Sequence, residues 1–386
     1  MKRKSTSATV VEAVKDQNKR QKKPQQQPQQ QEQPQRQQEQ QLQRSHGGQL
    51  YLKPRVFEKD DAKGIQDHMT YHGYVVVRVM NREEVAASRT QFVSTLSSAF
   101  GVDVNNFAKT ISRVHGVEST TFGGLKMKPS GMCHSAWTYD VKAACRGVFA
   151  TLFGEQDVVT SFDQVNLLVN RKQLGLRKPS SGSLCLHVDR DVSDNWHRHS
   201  TTTTYQGIAL ITASNEKTGG FVCVPGSHKA IKKWLSGAKR GHQQFTPINT
   251  KNETVAAMLK ETPAVRLITP SGVVIVFSND LVHGNRPRTD FSSARNILRI
   301  GAYVNFVPRN MLNEGDEKRR RHIIESMSVG THWPHSFSDR PNNVRRRDWP
   351  MNCSSNNQYR KGKINHCSAV VGLSAEKIME MYGDMI

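Results

Sequence analysis

Ser183-Leu184-Cys185-Leu186-His187-Val188-Asp189 alternates apolar and polar residues toward a charged end, the pattern of a half-buried β-strand. Leu184, Leu186 and Val188 are expected on one face, and Cys185, His187 and Asp189 on the other. The reason is that successive strand side chains point to opposite sides of a sheet. An imidazole and a carboxylate then sit side by side on the inner face. Two imidazoles and one carboxylate on one side of Fe(II), with the opposite positions open, make a facial iron site. His187 and Asp189 supply part of such a set, and the third ligand must come from elsewhere in the chain. His-x-Asp alone is a short pattern that a strand end also carries by chance.

Further strands flank this one. Gly73-Tyr74-Val75-Val76-Val77-Arg78-Val79 is a β-branched run of strand length,. Asn81 with Glu84 gives the capping-box start of a helix that reaches Phe100,. Residues 101–135 give no clear assignment. Trp137 to Phe153 reads as a helix with Val141, Cys145, Val148 and Leu152 on one face, capped by Gly154,. Val158 to Val169 reads as a single strand, and a Lys/Arg/Gly/Pro/Ser loop at 171–182 leads to His187. Gln206 to Ile211 and Gly219 to Val224 are strands, the second closed by Pro225-Gly226-Ser227-His228. A short helix is expected around Ile231 to Leu235, then a strand from Ser271 to Phe277 and a turn at Asn279-Asp280. Leu281-Val282-His283-Gly284-Asn285 comes next, and Arg295 to Phe306 is the last long strand.

The chain has 386 residues and a formal net charge of +22. That charge favours contact with a polyanion such as nucleic acid but says nothing about fold. The six Cys form no C-x-x-C pair, so reduced thiols in an intracellular protein are expected. No apolar run approaches ~18 residues, so no membrane span is expected. Residues 1–48 are expected to be a disordered tail, rich in Gln and basic residues and poor in apolar ones,. Lys2-Arg3-Lys4 and Lys19-Arg20-Gln21-Lys22-Lys23 look like a two-part import signal,. An import receptor and a nuclear location are therefore expected, with the cytoplasm as the other possibility.

Together these motifs resemble the phytanoyl-CoA dioxygenase (PhyH-like) family of Fe(II)- and 2-oxoglutarate-dependent oxygenases. The shared features are Gly-Tyr-Val-Val-Val at 73–77, Ser-Phe-Asp at 161–163, His187-x-Asp189, Gln206-Gly207 and the run from Gly219-Gly220 to Pro225-Gly226-Ser227-His228. A lone His283 and a following Arg complete the order. The resemblance implies a mainly β fold, a double-stranded β-helix (jelly-roll, cupin-like) barrel with flanking helices. It implies a dioxygenase domain over residues 49–310, with residues 311–386 a basic C-terminal extension packed on or beside it. His187, Asp189 and His283 are its implied iron ligands, with Fe(2+), 2-oxoglutarate and O2 as cofactor and co-substrates. The distal carboxylate of 2-oxoglutarate needs a fork of donors, a role suited to Arg. Arg295 and Arg299 lie on one face of the last strand, and the spacing from His283 in the family favours Arg295. Gln164 and Asn166 share a strand face and are further candidates to hold the co-substrate.

The implied reaction hydroxylates an organic substrate, with succinate and CO2 as co-products. The carboxylate of Asp189 argues for hydroxylation, since related halogenating enzymes put a halide there. His228 is expected to be structural, and His197 and His199 lie in a loop near the site's mouth. Arg319-Arg320-Arg321 and Arg345-Arg346-Arg347 are expected on exposed helix or loop. Cys353, His366 and Cys367 lack zinc spacing. Ser374 is expected to cap a final helix. The substrate is left open as a small molecule or acyl ester. Two other readings compete: a nuclear oxygenase acting on nucleic acid or chromatin protein, and a non-catalytic jelly-roll binding protein. Aromatics are only 7% of the chain, few for stacking bases.

Overall fold

Alternation between buried and exposed positions is realised here as two facing sheets. The structure, a computed structural model, describes residues 42–44, 50–111, 117–119, 124–127, 132–163, 165–169, 186–189, 203–216, 218–236, 246–286, 297–325, 334 and 373–386. Among these, one sheet has seven strands. In spatial order they are β1 (Leu42–Arg44), β2 (Leu50–Leu52), β12 (Val265–Leu267), β10 (Gly220–Cys223), β14 (His283–Arg286), β8 (His187–Val188) and β11 (Thr246–Pro247). The other has eight. Its order is β3 (Tyr74–Arg78), β13 (Val273–Ser278), β9 (Tyr205–Leu210), β15 (Ile297–Pro308), β7 (Val165–Val169), β5 (Gly124–Met127) and β4 (Val117–Ser119), with β6 (Val158–Thr160) paired to β15.

From β7 to β10 the chain passes back and forth between the sheets, and from β12 to β15 it does so again. This winding is a double-stranded β-helix, the jelly-roll form of an all-β core. Among the described residues the two sheets do not join by hydrogen bonding into a closed barrel. Most pairings are antiparallel; β2 and β12 are parallel.

Three layers of core follow. Between the sheets, Tyr74, Val76, Ile208, Leu210, Ile275 and Phe277 of one meet Leu52, Phe221, Cys223, Val265 and Leu267 of the other. The far face of the larger sheet packs on α1 (Ala62–His72), α2 (Arg82–Phe100) and α4 (Ala136–Phe153) through Ile65, Phe92, Trp137 and Phe149. A short α3 (Phe107–Ile111) lies between α2 and α4 in the chain. The far face of the smaller sheet packs on α5 (Ile231–Trp234) and α6 (Glu253–Glu261) through Leu186, Val188, Val222, Trp234 and Val255.

The helix ends were legible. Asn81 accepts from the Glu84 amide while the Glu84 carboxylate accepts from the Asn81 amide. Ser135 caps α4 and Gly154 closes it in the left-handed conformation. Other expectations need correction. The strand read over Val158 to Val169 breaks after Thr160, because Ser161, Phe162 and Asp163 turn inward. There the buried Lys142 ammonium donates to the Ser161 carbonyl, and Phe162 packs 4.8 Å below the Arg320 guanidinium. β1 pairs with β2; the rest of the tail and its basic clusters lie outside the described residues. Arg320 is buried on α7 (Glu314–Glu325), contrary to the exposed run expected there. It donates to the Ile386 oxygen at 2.8 and 2.6 Å. The capped α8 (Ala375–Tyr382) sends Ile378 and Tyr382 into the helix-side core. Arg345 to Arg347, Cys353, His366 and Cys367 lie outside the described residues. No described helix is long and apolar enough to cross a membrane.

His68 on α1 is 2% exposed. Its ring lies 5.2 Å from Phe57 and 5.3 Å from Tyr74. Burial, then the neighbouring His72 and Arg55, pull its imidazole down from 6.5 to about 3. The folded state therefore resists a proton that the unfolded chain accepts. Stability is full above pH 6.5 and declines as the pH falls toward 3,. At pH 5 this one group is expected to cost about 2 kcal/mol. Melting curves of wild type and His68→Phe at pH 7.5 and pH 5 check this, since the variant should lose less stability on acidification. An identical loss in both would refute it.

Candidate metal centre

Leu186 and Val188 are buried against Val222, Val282 and Trp234 on the outer side of the smaller sheet. Anchored there, the strand must turn His187 inward. His187 pairs with His283 across β8 and β14, and their rings lie 4.4 Å apart. Asp189 follows directly after β8. Its carboxylate lies 3.5 Å from His187 Nε2 and 3.2 Å from His283 Nε2. One donor atom from each residue falls within 4.8 Å of the others. Side-chain exposure is 15% for His187, 19% for Asp189 and 5% for His283, so the group opens to one side only.

His283 Nδ1 is 3.0 Å from the Leu281 carbonyl. A carbonyl only accepts, so Nδ1 carries the proton and Nε2 presents a lone pair. That lone pair faces a carboxylate oxygen. Two acceptors in contact repel unless a cation or a proton lies between them. Two imidazoles and one carboxylate suit Fe(II) with open positions, so the residues present fit the metal. Phe277 and Phe221 hold the His283 ring from the core side, at 4.6 and 5.7 Å between centroids.

Gln206, on the inner face of β9, donates to Asp189 Oδ2 at 2.8 Å. Behind it Asn279 donates to the Thr204 hydroxyl. The sequence showed Gln206 only as part of a shared Gln-Gly pair; its alternation with the inward Ile208 and Leu210 was the available signal. Outer partners of this kind typically govern metal affinity by about 10–100-fold. Gln206→Leu is expected to weaken divalent-metal binding by about that factor, while Gln206→Glu should restore part of the contact only when protonated. Anaerobic Fe(II) titration of the three proteins checks this; unchanged affinity in Gln206→Leu would sink it.

Farther along the cleft stands Arg299, 1% exposed. It alternates with Ile300 and Ala302 of the helix-side core and so faces between the sheets. Its guanidinium borders Gly220, where an added Cβ would lie 2.7 Å from Nη1. Gly220 is three residues along β10 from Cys223, the partner of His283, or roughly 10 Å at strand rise. That span suits a five-carbon dicarboxylate reaching from metal to guanidinium. Burial, against the nearby Tyr303, draws the Arg299 pKa down to about 10, so it stays charged at neutral pH. Its Nε has no hydrogen-bond partner among the described residues.

Arg295 and Gln164 lie outside the described residues, as do His197 and His199. Asn166 is buried on the inner face of β7, and its amide donates to the Tyr303 hydroxyl at 2.6 Å. His228 stands apart from the triad, with Nε2 3.2 Å from the Thr70 carbonyl. It serves the fold, as expected. Among the described residues, His187, Asp189 and His283 are the cluster able to hold a metal.

Solved structures are similar to this chain at low identity. The epimerase SnoN, in complex with Fe3+, alpha ketoglutarate and nogalamycin RO, is 14% identical over 64% of this chain and 83% of its own, with a TM-score of 0.44. The alpha-ketoglutarate-dependent carbocyclase SnoK from nogalamycin biosynthesis is 16% identical over 64% of this chain and 84% of its own, with a TM-score of 0.41. EctD from S. alaskensis, with bound Fe, is 14% identical over 67% of this chain and 80% of its own, with a TM-score of 0.39. No curated protein matches the chain. A family model, phytanoyl-CoA dioxygenase (PhyH), matches residues 69–296, more than half of the sequence and all three clustered residues. This chain belongs to the phytanoyl-CoA dioxygenase family, and with it to the dioxygenases that use iron and 2-oxoglutarate.

Proposed function

We propose that His187, Asp189 and His283 hold Fe(II), that Arg299 receives the distal carboxylate of 2-oxoglutarate, and that the enzyme hydroxylates an organic substrate. The observation that carries this is the convergence of one donor atom each from His187, Asp189 and His283 within 4.8 Å of one another, with His283 Nε2 3.2 Å from the Asp189 carboxylate. When bound, iron with 2-oxoglutarate and O2 supplies the oxidising chemistry, with succinate and CO2 as co-products.

The chain's own residues do the positioning. The Leu281 carbonyl keeps the proton on Nδ1 of His283. Gln206 holds one Asp189 oxygen and so orients the other. A carboxylate at position 189 fills the place that would otherwise admit a halide, which favours return of a hydroxyl group. Phe221 and Phe277 keep water from the core side of the His283 ring. Arg299 is chosen over Arg295 for its burial and for the unpartnered Nε.

Anaerobic titration with Fe(II) and 2-oxoglutarate tests the reading through the visible absorption of their chelate. Wild type is expected to develop the band. A protein that binds neither would be a scaffold with no oxygenase chemistry.

A further inference from the structure

The smaller sheet carries a second concentration of arginine on the face opposite the iron residues. Arg266 on β12 pairs with Tyr51 on β2 and with Val222 on β10. Arg286 on β14 pairs with Gly220, while Gly284 pairs with Val222. By alternation Arg266, Arg286, Gly220 and Gly284 share one face with Tyr51. Val222 stands beside Arg266 on this face, and its neighbour Gly284 carries no side chain. The Tyr51 ring floors this shelf, 4.6 Å from the Arg266 guanidinium carbon.

Arg266 is 0% exposed. Its Nη2 donates to the Glu216 carbonyl. Its Nε and Nη1, and Nε of Arg286, have no hydrogen-bond partner among the described residues. Burial lowers the pKa of both groups while Tyr51 raises it; on Arg266 the lowering by Arg286 ranks below the influence of Tyr51 and above that of the exposed Glu216. Arg299, whose Nη1 borders Gly220, adds further repulsion. Gathered buried cations with unused donors are costly unless an anion satisfies them. Paired guanidinium forks match the oxygens of a phosphate-type group.

We propose that Arg266 and Arg286, over Gly220 and Gly284, form a subsite for a phosphate-type oxyanion, distinct from the 2-oxoglutarate position at Arg299. Arg286 lies three residues along β14 from His283, roughly 10 Å at strand rise. Because Arg286 and His283 project from opposite faces of β14, an anion bound there does not reach the iron and would act as an effector,. The inference does not rest on the proposed oxygenase reading.

The probe is inorganic phosphate, titrated calorimetrically against the full chain without iron. Saturable binding is expected, weakened about ten-fold or more in Arg286→Gln and largely retained in Arg286→Lys. Arg299→Leu is expected to keep it. Arg286 is only partly buried, so its variants remain informative if Arg266→Met fails to fold. Phenyl phosphate run alongside distinguishes the sources: tighter binding than phosphate assigns the group to an organic phosphate ester, and equal or weaker binding assigns a free inorganic anion. The proposal is overturned if wild type shows no saturable phosphate binding, if Arg286→Gln binds as wild type does, or if Arg299→Leu is the variant that loses it. No iron or turnover enters this readout. Its failure therefore leaves the oxygenase reading standing, and failure of the Fe(II) and 2-oxoglutarate titration leaves the subsite standing.

Discussion

Asp189→Ala is expected to bring conversion of 2-oxoglutarate to succinate down to background while leaving the protein folded. The carboxylate supplies the one anionic donor in a set whose other members are neutral imidazoles. Without it, the metal loses both charge and geometry, a larger change than the about 10–100-fold typical when an outer partner is removed. The contacts of this side chain among the described residues include Gln206 and the two imidazoles, all within the site, and its removal relieves the crowding of acceptors there. The melting temperature without metal should therefore be unchanged or slightly raised, and the stabilisation that Fe(II) gives the wild type should vanish. No prime substrate is needed, because slow uncoupled turnover reports the site. Full succinate production by a folded Asp189→Ala protein would remove this residue from the centre.

Arg299→Leu is expected to raise KM for 2-oxoglutarate by about 10–100-fold, the loss of charge-assisted hydrogen bonds to a buried carboxylate. The effect should fall mainly on KM, because Arg299 stands at the far end of the co-substrate from the reacting atoms. Fe(II) affinity should hold, which separates this variant from Asp189→Ala. Arg295→Leu serves as the comparison. If KM rises in Arg295→Leu and not in Arg299→Leu, the anchor is Arg295 and Arg299 is left to the neighbouring arginine cluster. Steady-state kinetics at saturating Fe(II) and O2 decide between them.

Much of the strand order was open to reading because burial imposes a period of two. Tyr74 and Val76 face one core while Val75 and Val77 face the other, and the sequence carries that run without a break. The missed elements were short or of mixed character. Val265-Arg266-Leu267 is a strand with an arginine in its middle, which disguises it as a loop. The helix Glu253–Glu261 follows a turn and buries only Val255 fully. Ser161, Phe162 and Asp163 read as a continuing strand, yet the buried Lys142 on a distant helix draws them out of the sheet. No local pattern carries that information.

The candidate metal ligands divide along the same line. Alternation by itself put His187 and Asp189 on one face, since period two is a property of the backbone. It could not supply the third ligand, which required first the family resemblance and then the register between β8 and β14 that sets His283 opposite His187. Gln206 as the partner of Asp189, Leu281 as the residue that fixes the His283 tautomer, and the meeting of Arg266 with Arg286 are decided by tertiary structure alone. Each joins strands far apart in the chain, and hydrogen bonds and charge act through space over a few ångströms. The amino-acid order states which side each residue must face; only the folded sheets state which residues then meet.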